Sequence, residues 1–319
     1  MVRHSSVYIM RYIVSLLITL LVVGCGGRQK SSGEPVTYEP GTRTMRRSCE
    51  NIYSIGSHEE YNAMIAHFWD DFDFEAEEGV IAYDTLDIMS AMAEYVSYIP
   101  PRDADSLMRN LIRRASHSRP MLNFFNMITE AVLHDPNSPL RNDEYYIPVL
   151  ETILESPLLD EYERIAPEYD LEIARKNRIG TIANDFAYTT ADGSSHRLHD
   201  IPANYTILMF SNPGCPMCRE IMDQISASPL LNELTERGDL RTISLYPDED
   251  LEAWYSHLGD MPASWIKAYD KGQQITIERL YNLSAIPALY LLDSQKRVIV
   301  KDGTSVAQIE NIIAYMESL

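Results

Sequence analysis

Two different spacings of apolar residues divide the chain. Between about residues 48 and 177 the spacing is helical. Tyr61, Met64, Ile65 and Phe68 stand at i, i+3, i+4 and i+7, and Ile88, Met89, Met92, Tyr95, Val96 and Ile99 repeat the pattern. Pro100-Pro101 stops that second helix, because proline lacks an amide donor and its ring clashes with the preceding turn. Further helices are predicted over 103–116, 121–133, 143–155 and 162–176, with a turn at Asp135-Pro136-Asn137-Ser138-Pro139. No strand-like alternation interrupts them, so this half is expected to be all-α, with five or six helices.

From residue 179 the texture changes. Asp192-Gly193 is a hairpin signal, and residues 206–210 (TILMF) form a continuous apolar run, as a central strand buried on both faces requires. Helices are predicted over 216–226 and 230–237, a strand over 240–246, and a helix over 251–269, where two tryptophans lie. Strands over 288–292 and 298–301 flank a turn, and Ile309, Ile312, Ile313 and Met316 mark a closing amphipathic helix. Strands alternating with helices predict an α/β domain with a mixed central sheet flanked by helices. The predicted organisation is a leader over 1–24, a tether over 25–45, an all-α domain over 46–177 and an α/β domain over 178–319.

Composition narrows the function classes. The 319 residues are 45% apolar and 23% charged, which suits packed globular domains. Lys and Arg number 27 against 47 Asp and Glu, a net charge of -20. Such a field repels a phosphate backbone, and no basic stripe offsets it, so no nucleic-acid partner is expected. Four cysteines are too few for a disulfide-stapled scaffold.

At the amino terminus Arg3, His4 and Arg11 precede an apolar run over 12–23, shorter than the ~20 residues that span a bilayer as a helix. The run passes through Val22-Val23-Gly24 into Cys25, which resembles the lipobox of bacterial lipoproteins. That resemblance implies cleavage before Cys25 and a lipid anchor on it; an ordinary signal peptide or short anchor is the competing reading. Acyl chains at Cys25 would hold the protein on a membrane without spanning it. Residues 26–44, rich in Gly, Ser and Pro, read as a flexible tether. The protein is then expected in the cell envelope, facing the periplasm, where disulfides form and persist. Gly26 rather than Asp after Cys25 favours the outer membrane over the inner.

The segment that carries chemistry is Ser211-Asn212-Pro213-Gly214-Cys215-Pro216-Met217-Cys218. Two cysteines separated by two residues follow a buried strand and open a helix. At a helix N-terminus, unpaired amides and the positive end of the dipole favour an anion, and the thiolate is the nucleophile. Pro216 suits the first helical position, where its missing N–H costs nothing. Cys218, one turn further in, is expected to stay a thiol until it attacks a mixed disulfide formed by Cys215. A zinc half-site, a structural disulfide and two unpaired core cysteines are the competing readings. Zinc needs four ligands, and no second C-x-x-C or paired histidines supply them. A disulfide closing about four residues restrains the unfolded chain little. No metal and no cofactor beyond a redox-active Cys215–Cys218 disulfide is expected.

The second half resembles the thioredoxin fold, in particular the envelope-facing thiol–disulfide oxidoreductases of the TlpA and redoxin type. Residues 180–193 match the family's leading hairpin, and 206–210 running into Cys215-x-x-Cys218 match its central strand and active site. Ser284-Ala285-Ile286-Pro287-Ala288 matches the cis-proline loop before the next strand. The resemblance implies that Ile286 and Pro287 hold an extended substrate beside Cys215, within a loop of Pro213, Gly214, Pro216 and Met217. The chain departs from the family in carrying Gly214 where a tryptophan is usual, and no acid on the central strand.

The first half resembles an uncharacterised domain, the DUF5106 type, placed before thioredoxin domains in Bacteroidetes lipoproteins. His67-Phe68-Trp69-Asp70-Asp71-Phe72-Asp73, residues 135–140 and residues 176–180 carry the likeness. It implies no activity. The acidic run 70–78 reads as a solvated face, Cys49 as a buried or free thiol, and His67 and Trp69 as packing residues. The whole predicts a membrane-tethered thiol–disulfide oxidoreductase, a reductase of disulfide-containing envelope proteins, that exchanges electrons with a membrane donor or acceptor. An oxidase or isomerase of the same fold and a non-catalytic thioredoxin-like adaptor are the alternatives.

Overall fold

The computed structural model describes residues 45, 57–75, 82–303 and 305–318. The leader, most of the tether, Cys25 and Cys49 lie outside the described residues. The chain forms two compact units that divide between Leu171 and Glu172. No helix among the described residues is long and apolar enough to cross a membrane.

The first unit is helical: α1 (His58–Ala66), α2 (Thr85–Tyr98), α3 (Ala104–Ala115), α4 (Arg119–Leu133) and α5 (Asp143–Glu155), followed by α6 (Ile165–Ala174), which runs on past the division. Side chains set the starts. Ser57 and Glu60 form a reciprocal capping box on α1, and the Asp84 carboxylate accepts from the Leu86 and Asp87 amides to open α2. The core is aromatic. Trp69, Phe72, Phe74 and Phe125 are buried, and the Phe125 ring centroid lies 5.5 Å from Trp69 and 5.2 Å from both Phe72 and Phe74. Along 70–75 the acids Asp70, Asp71, Asp73 and Glu75 are exposed while Phe72 and Phe74 point inward. His67 departs from its predicted packing role: its side chain is 72% exposed and pairs with Asp70 at 2.7 Å, because it leaves α1 at the C-cap on the solvent side.

The second unit is a seven-stranded sheet in the order β2-β1-β5-β4-β3-β6-β7. Its strands are β1 (Ala187–Thr190), β2 (Ser195–Arg197), β3 (Tyr205–Phe210), β4 (Leu240–Tyr246), β5 (Ile266–Tyr269), β6 (Ala288–Leu292) and β7 (Val298–Gly303). The strands β3, β4 and β5 run parallel, whereas β6 is antiparallel to β3, and β1 to β5. The sheet is therefore mixed. The predicted Asp192-Gly193 hairpin joins β1 and β2, with Gly193 at φ 83°. Every residue of β3 is buried, and its side chains alternate between two cores. Ile207 and Met209 pack with α7 (Pro216–Ala227), α8 (Pro229–Arg237) and α11 (Val306–Glu317). Leu208 and Phe210 face the other core, with Phe186, Tyr281 and Tyr290.

Residues 251–269 are not the single helix predicted. The chain forms α9 (Leu251–Ser256), a short turn through Asp260 and then β5, with α10 (Gln274–Ile277) beyond it. Pro262 cannot continue a helix, and the four residues of β5 are too short a run for periodicity to separate strand from helix.

Candidate active site

The site forms where β3 ends. The Asn212 carbonyl accepts the Cys215 amide at 3.3 Å and closes the loop, and Gly214 takes φ +69°, which a side chain would strain. Cys215 is the N-cap of α7, with Pro216 in the first turn. Its Sγ accepts the Cys218 amide at 3.2 Å, so the sulfur stands where a capping oxygen would, against the N-terminal amides of the helix. Cys215 is half-buried and Cys218 fully buried, with no bond between their sulfurs. Burial pushes the Cys218 thiol up to about 12, opposed by a hydrogen bond from the Asn212 backbone. One cysteine thus reaches solvent and the other is held as a thiol. Met217 between them is 58% exposed.

The second component arrives through sheet register. Phe210 of β3 is opposite Ala288 of β6, so the Ile286–Pro287 bond, which is cis, lies at the level where β3 gives way to the cysteine loop. Ile286 packs against the core that also takes Cys215 and Cys218. The structure thus brings the predicted loop residues Pro213, Gly214, Pro216 and Met217 and the cis-proline segment to one end of the sheet. Cys25 lies outside the described residues. Among those residues no group of three or more His, Cys, Asp or Glu side chains is arranged to hold a metal ion.

Sequence reasoning missed the far wall of the site. Trp254, His257, Asp260 and Met261 close a small cleft of about 30 Å³ against Asn212, Gly214, Cys215 and Arg219. A Cβ placed on Gly214 would lie 3.6 Å from His257 Nε2, so the imidazole faces Gly214 across the cleft. Asp260 pairs with Arg219 at 3.0 Å across the cleft. No spacing signal ties His257 to Cys215; only the path of the chain through β4 and α9 brings them together. The central strand places no acid beside Cys218, and Ile207 and Met209 hold that side of β3.

A dithiol at a strand–helix junction beside a cis-proline loop defines the fold of the thiol–disulfide oxidoreductases, and the comparisons agree. Residues 51–177 match a domain of unknown function, DUF5106, and residues 203–298 match a thioredoxin-like family. A crystal structure of a thioredoxin-like protein from Bacteroides caccae superposes with a TM-score of 0.80 at 34% identity, covering 86% of this chain and 99% of that one. The chain belongs to these thioredoxin-like proteins with a leading DUF5106 domain. The C-terminal domain of an uncharacterised protein from Bacteroides fragilis is 42% identical over 43% of this chain and 98% of its own, with a TM-score of 0.42. Human nucleoredoxin is 26% identical over 113 residues, 35% of this chain and 26% of its own length. The chain therefore spans about a quarter of that curated relative.

Proposed function

We propose that the protein is a membrane-tethered thiol–disulfide oxidoreductase that reduces disulfides of envelope proteins through Cys215 and Cys218. The observation that carries the reading is the asymmetry of the pair: a half-buried sulfur capping α7 and a fully buried thiol one turn on, raised to about 12. In this reading Cys215 attacks a substrate disulfide, Cys218 resolves the mixed disulfide, and the chain at Ile286 and Pro287 holds the extended substrate by its backbone. A lipid on Cys25 supplies the tether, with the protein facing the periplasm from the outer membrane. A membrane donor returns the electrons, and no metal or organic cofactor takes part.

The test is a redox titration of the purified chain against thiol buffers, read by alkylation. A reversible two-electron transition at low potential is expected, and Cys218→Ser should accumulate mixed disulfides through Cys215. A transition at high potential would make the protein an oxidase or isomerase. No reversible transition would end the reading.

A further inference from the structure

Cys218 must lose its proton as it attacks, yet the central strand offers no acid to take it. The cleft beside Cys215 supplies one group suited to the task. His257 Nδ1 lies 2.8 Å from the Ala253 carbonyl oxygen, which can only accept, so Nδ1 carries the hydrogen. The lone pair of the neutral ring is then on Nε2, the atom that faces Gly214. Ser256 Oγ, 3.0 Å from Nδ1, donates to the same carbonyl and leaves that arrangement intact. The other charged groups on the cleft are Arg219 of α7 and Asp260 of the turn after α9, which are paired with each other. Histidine is the side chain that exchanges a proton near neutral pH. A second observation points to the same place. Asn212 Oδ1, on the wall of the cleft, is buried without a hydrogen-bond partner. A cleft of about 30 Å³ admits one or two waters, enough to join that acceptor and His257 to the sulfur of Cys215, to which the buried Cys218 side chain is itself hydrogen-bonded.

We propose that His257 is the proton carrier of the dithiol exchange, working through a water held by Asn212. The inference rests on the oxidoreductase reading and deepens it. In the first step the Cys215 thiolate attacks a substrate disulfide R–S–S–R′ and forms Cys215–S–S–R. The departing R′S⁻ takes the proton of the His257 imidazolium. In the second step the Cys218 thiol gives its proton to the neutral imidazole as its sulfur attacks Cys215 Sγ. The Cys215–Cys218 disulfide forms, and RS⁻ leaves and is protonated from the same ring. One substrate disulfide gains two electrons and two protons, the dithiol loses them, and His257 ends neutral.

The experiment mixes the reduced lipidated chain carrying Cys49→Ser, in mild detergent, with dithiobis(nitrobenzoate) and follows release of the coloured thiolate, so that only Cys215 and Cys218 contribute. The first release reports attack by Cys215, and the second reports resolution by Cys218. Nitrobenzenethiolate leaves without a proton, so the first release takes none from His257, and the ring passes its proton to solvent before the second step. His257→Asn places an amide N–H near the former Nδ1 and keeps the bond to Ala253 while removing the group that faces Gly214. It is expected to slow the second release about 100-fold relative to the first at neutral pH, the low end for loss of a general base, the ratio of the two releases within one variant being the readout. The variant's second release should then climb in proportion to hydroxide. An unchanged second release in a folded variant overturns the role of His257 and leaves the oxidoreductase reading standing. The chain with His257 intact decides independently of that variant. A second release proportional to hydroxide across the neutral range overturns the proton carrier, and one no faster than that of an unstructured thiol overturns both readings.

Discussion

The helical unit and the α/β unit each bury titratable groups, and in both burial is the leading cause of the shift. In the helical unit Asp170 is pushed up to about 6 by burial, with the Glu130 and Asp143 carboxylates adding to it, and Glu130 is raised by burial and by Asp135. Nearby, His134 stacks on Tyr146 with ring centroids 5.0 Å apart and stands 3.7 Å from Asp170. In the α/β unit Cys218 is raised by the same mechanism. The difference lies in the neighbours. Cys218 adjoins the half-buried sulfur of Cys215, which stands at a helix N-terminus and lines a small cleft, whereas half-buried Asp170 has the Glu130 and Asp143 carboxylates and the His134 ring for neighbours. Burial tunes a group, but chemistry also needs a reactive partner and a way in. The strand–helix junction supplies both.

If that contrast holds, the helical unit answers to packing before anything else. Phe125 is fully buried and meets Trp69, Phe72, Phe74 and Phe124 with ring centroids within 5.8 Å. Phe125→Ala is expected to cost about 4 kcal/mol, transfer and cavity together, in denaturant unfolding of the helical unit. The rate of attack by Cys215 should not change. A loss below about 1 kcal/mol would show a core that closes around the gap, and a slowed attack would break the separation of packing from chemistry.

The same contrast explains what the sequence made legible. β3, the α7 start, the hairpin and the cis-proline loop could be read because each is a local pattern: an apolar run, C-x-x-C at a helix start, Asp-Gly, Ile-Pro before a strand. The mixed sheet followed from their alternation. His257 and Trp254 could not be read, since their meeting with Gly214 depends on how β4 and α9 return the chain, a long-range consequence of the fold. The 251–269 segment was misread because aromatic and aliphatic residues at near-helical spacing hide a four-residue strand behind Pro262. His67, expected to be a packing residue, lies instead at the solvent-facing end of α1. Periodicity assigns a face but not where a helix stops.

A smaller effect should come from pH. Asp170 has a raised folded-state value, from 3.8 to about 6, so the folded chain binds more protons than the unfolded one between those limits. Its contribution is fully present below about 4 and is lost as pH rises through about 6. The groups facing it, Glu130 and Asp143, act in the same direction on Asp170, and His134 is the ring nearest to it. The thermal midpoint of the helical unit is therefore expected to rise as pH falls from 7 to about 5. Asp170→Asn should flatten this dependence and bring the midpoint at pH 7 up to that of the wild type at pH 5. A midpoint that falls over this interval would mean that Asp170 is ionised and paired in the folded core, making it unlike Cys218 after all.

The smallest effect tests the α/β side of the comparison at its least protected point. Gly214 sits at φ +69°, and an added Cβ would touch only His257 Nε2, at 3.6 Å, an ordinary contact. Gly214→Ala therefore introduces backbone strain without a clash, worth about 1 kcal/mol in the left-handed region. Denaturant unfolding of the α/β unit should register that loss. The added methyl also narrows the cleft between His257 and Cys215, so the second thiolate release should slow, but by much less than in His257→Asn, since the imidazole is still present. Equal slowing in the two variants would mean that the width of the cleft, and not the ring within it, sets the rate. The reactive asymmetry of the α/β unit would then be a property of the Cys215–Cys218 helix turn alone.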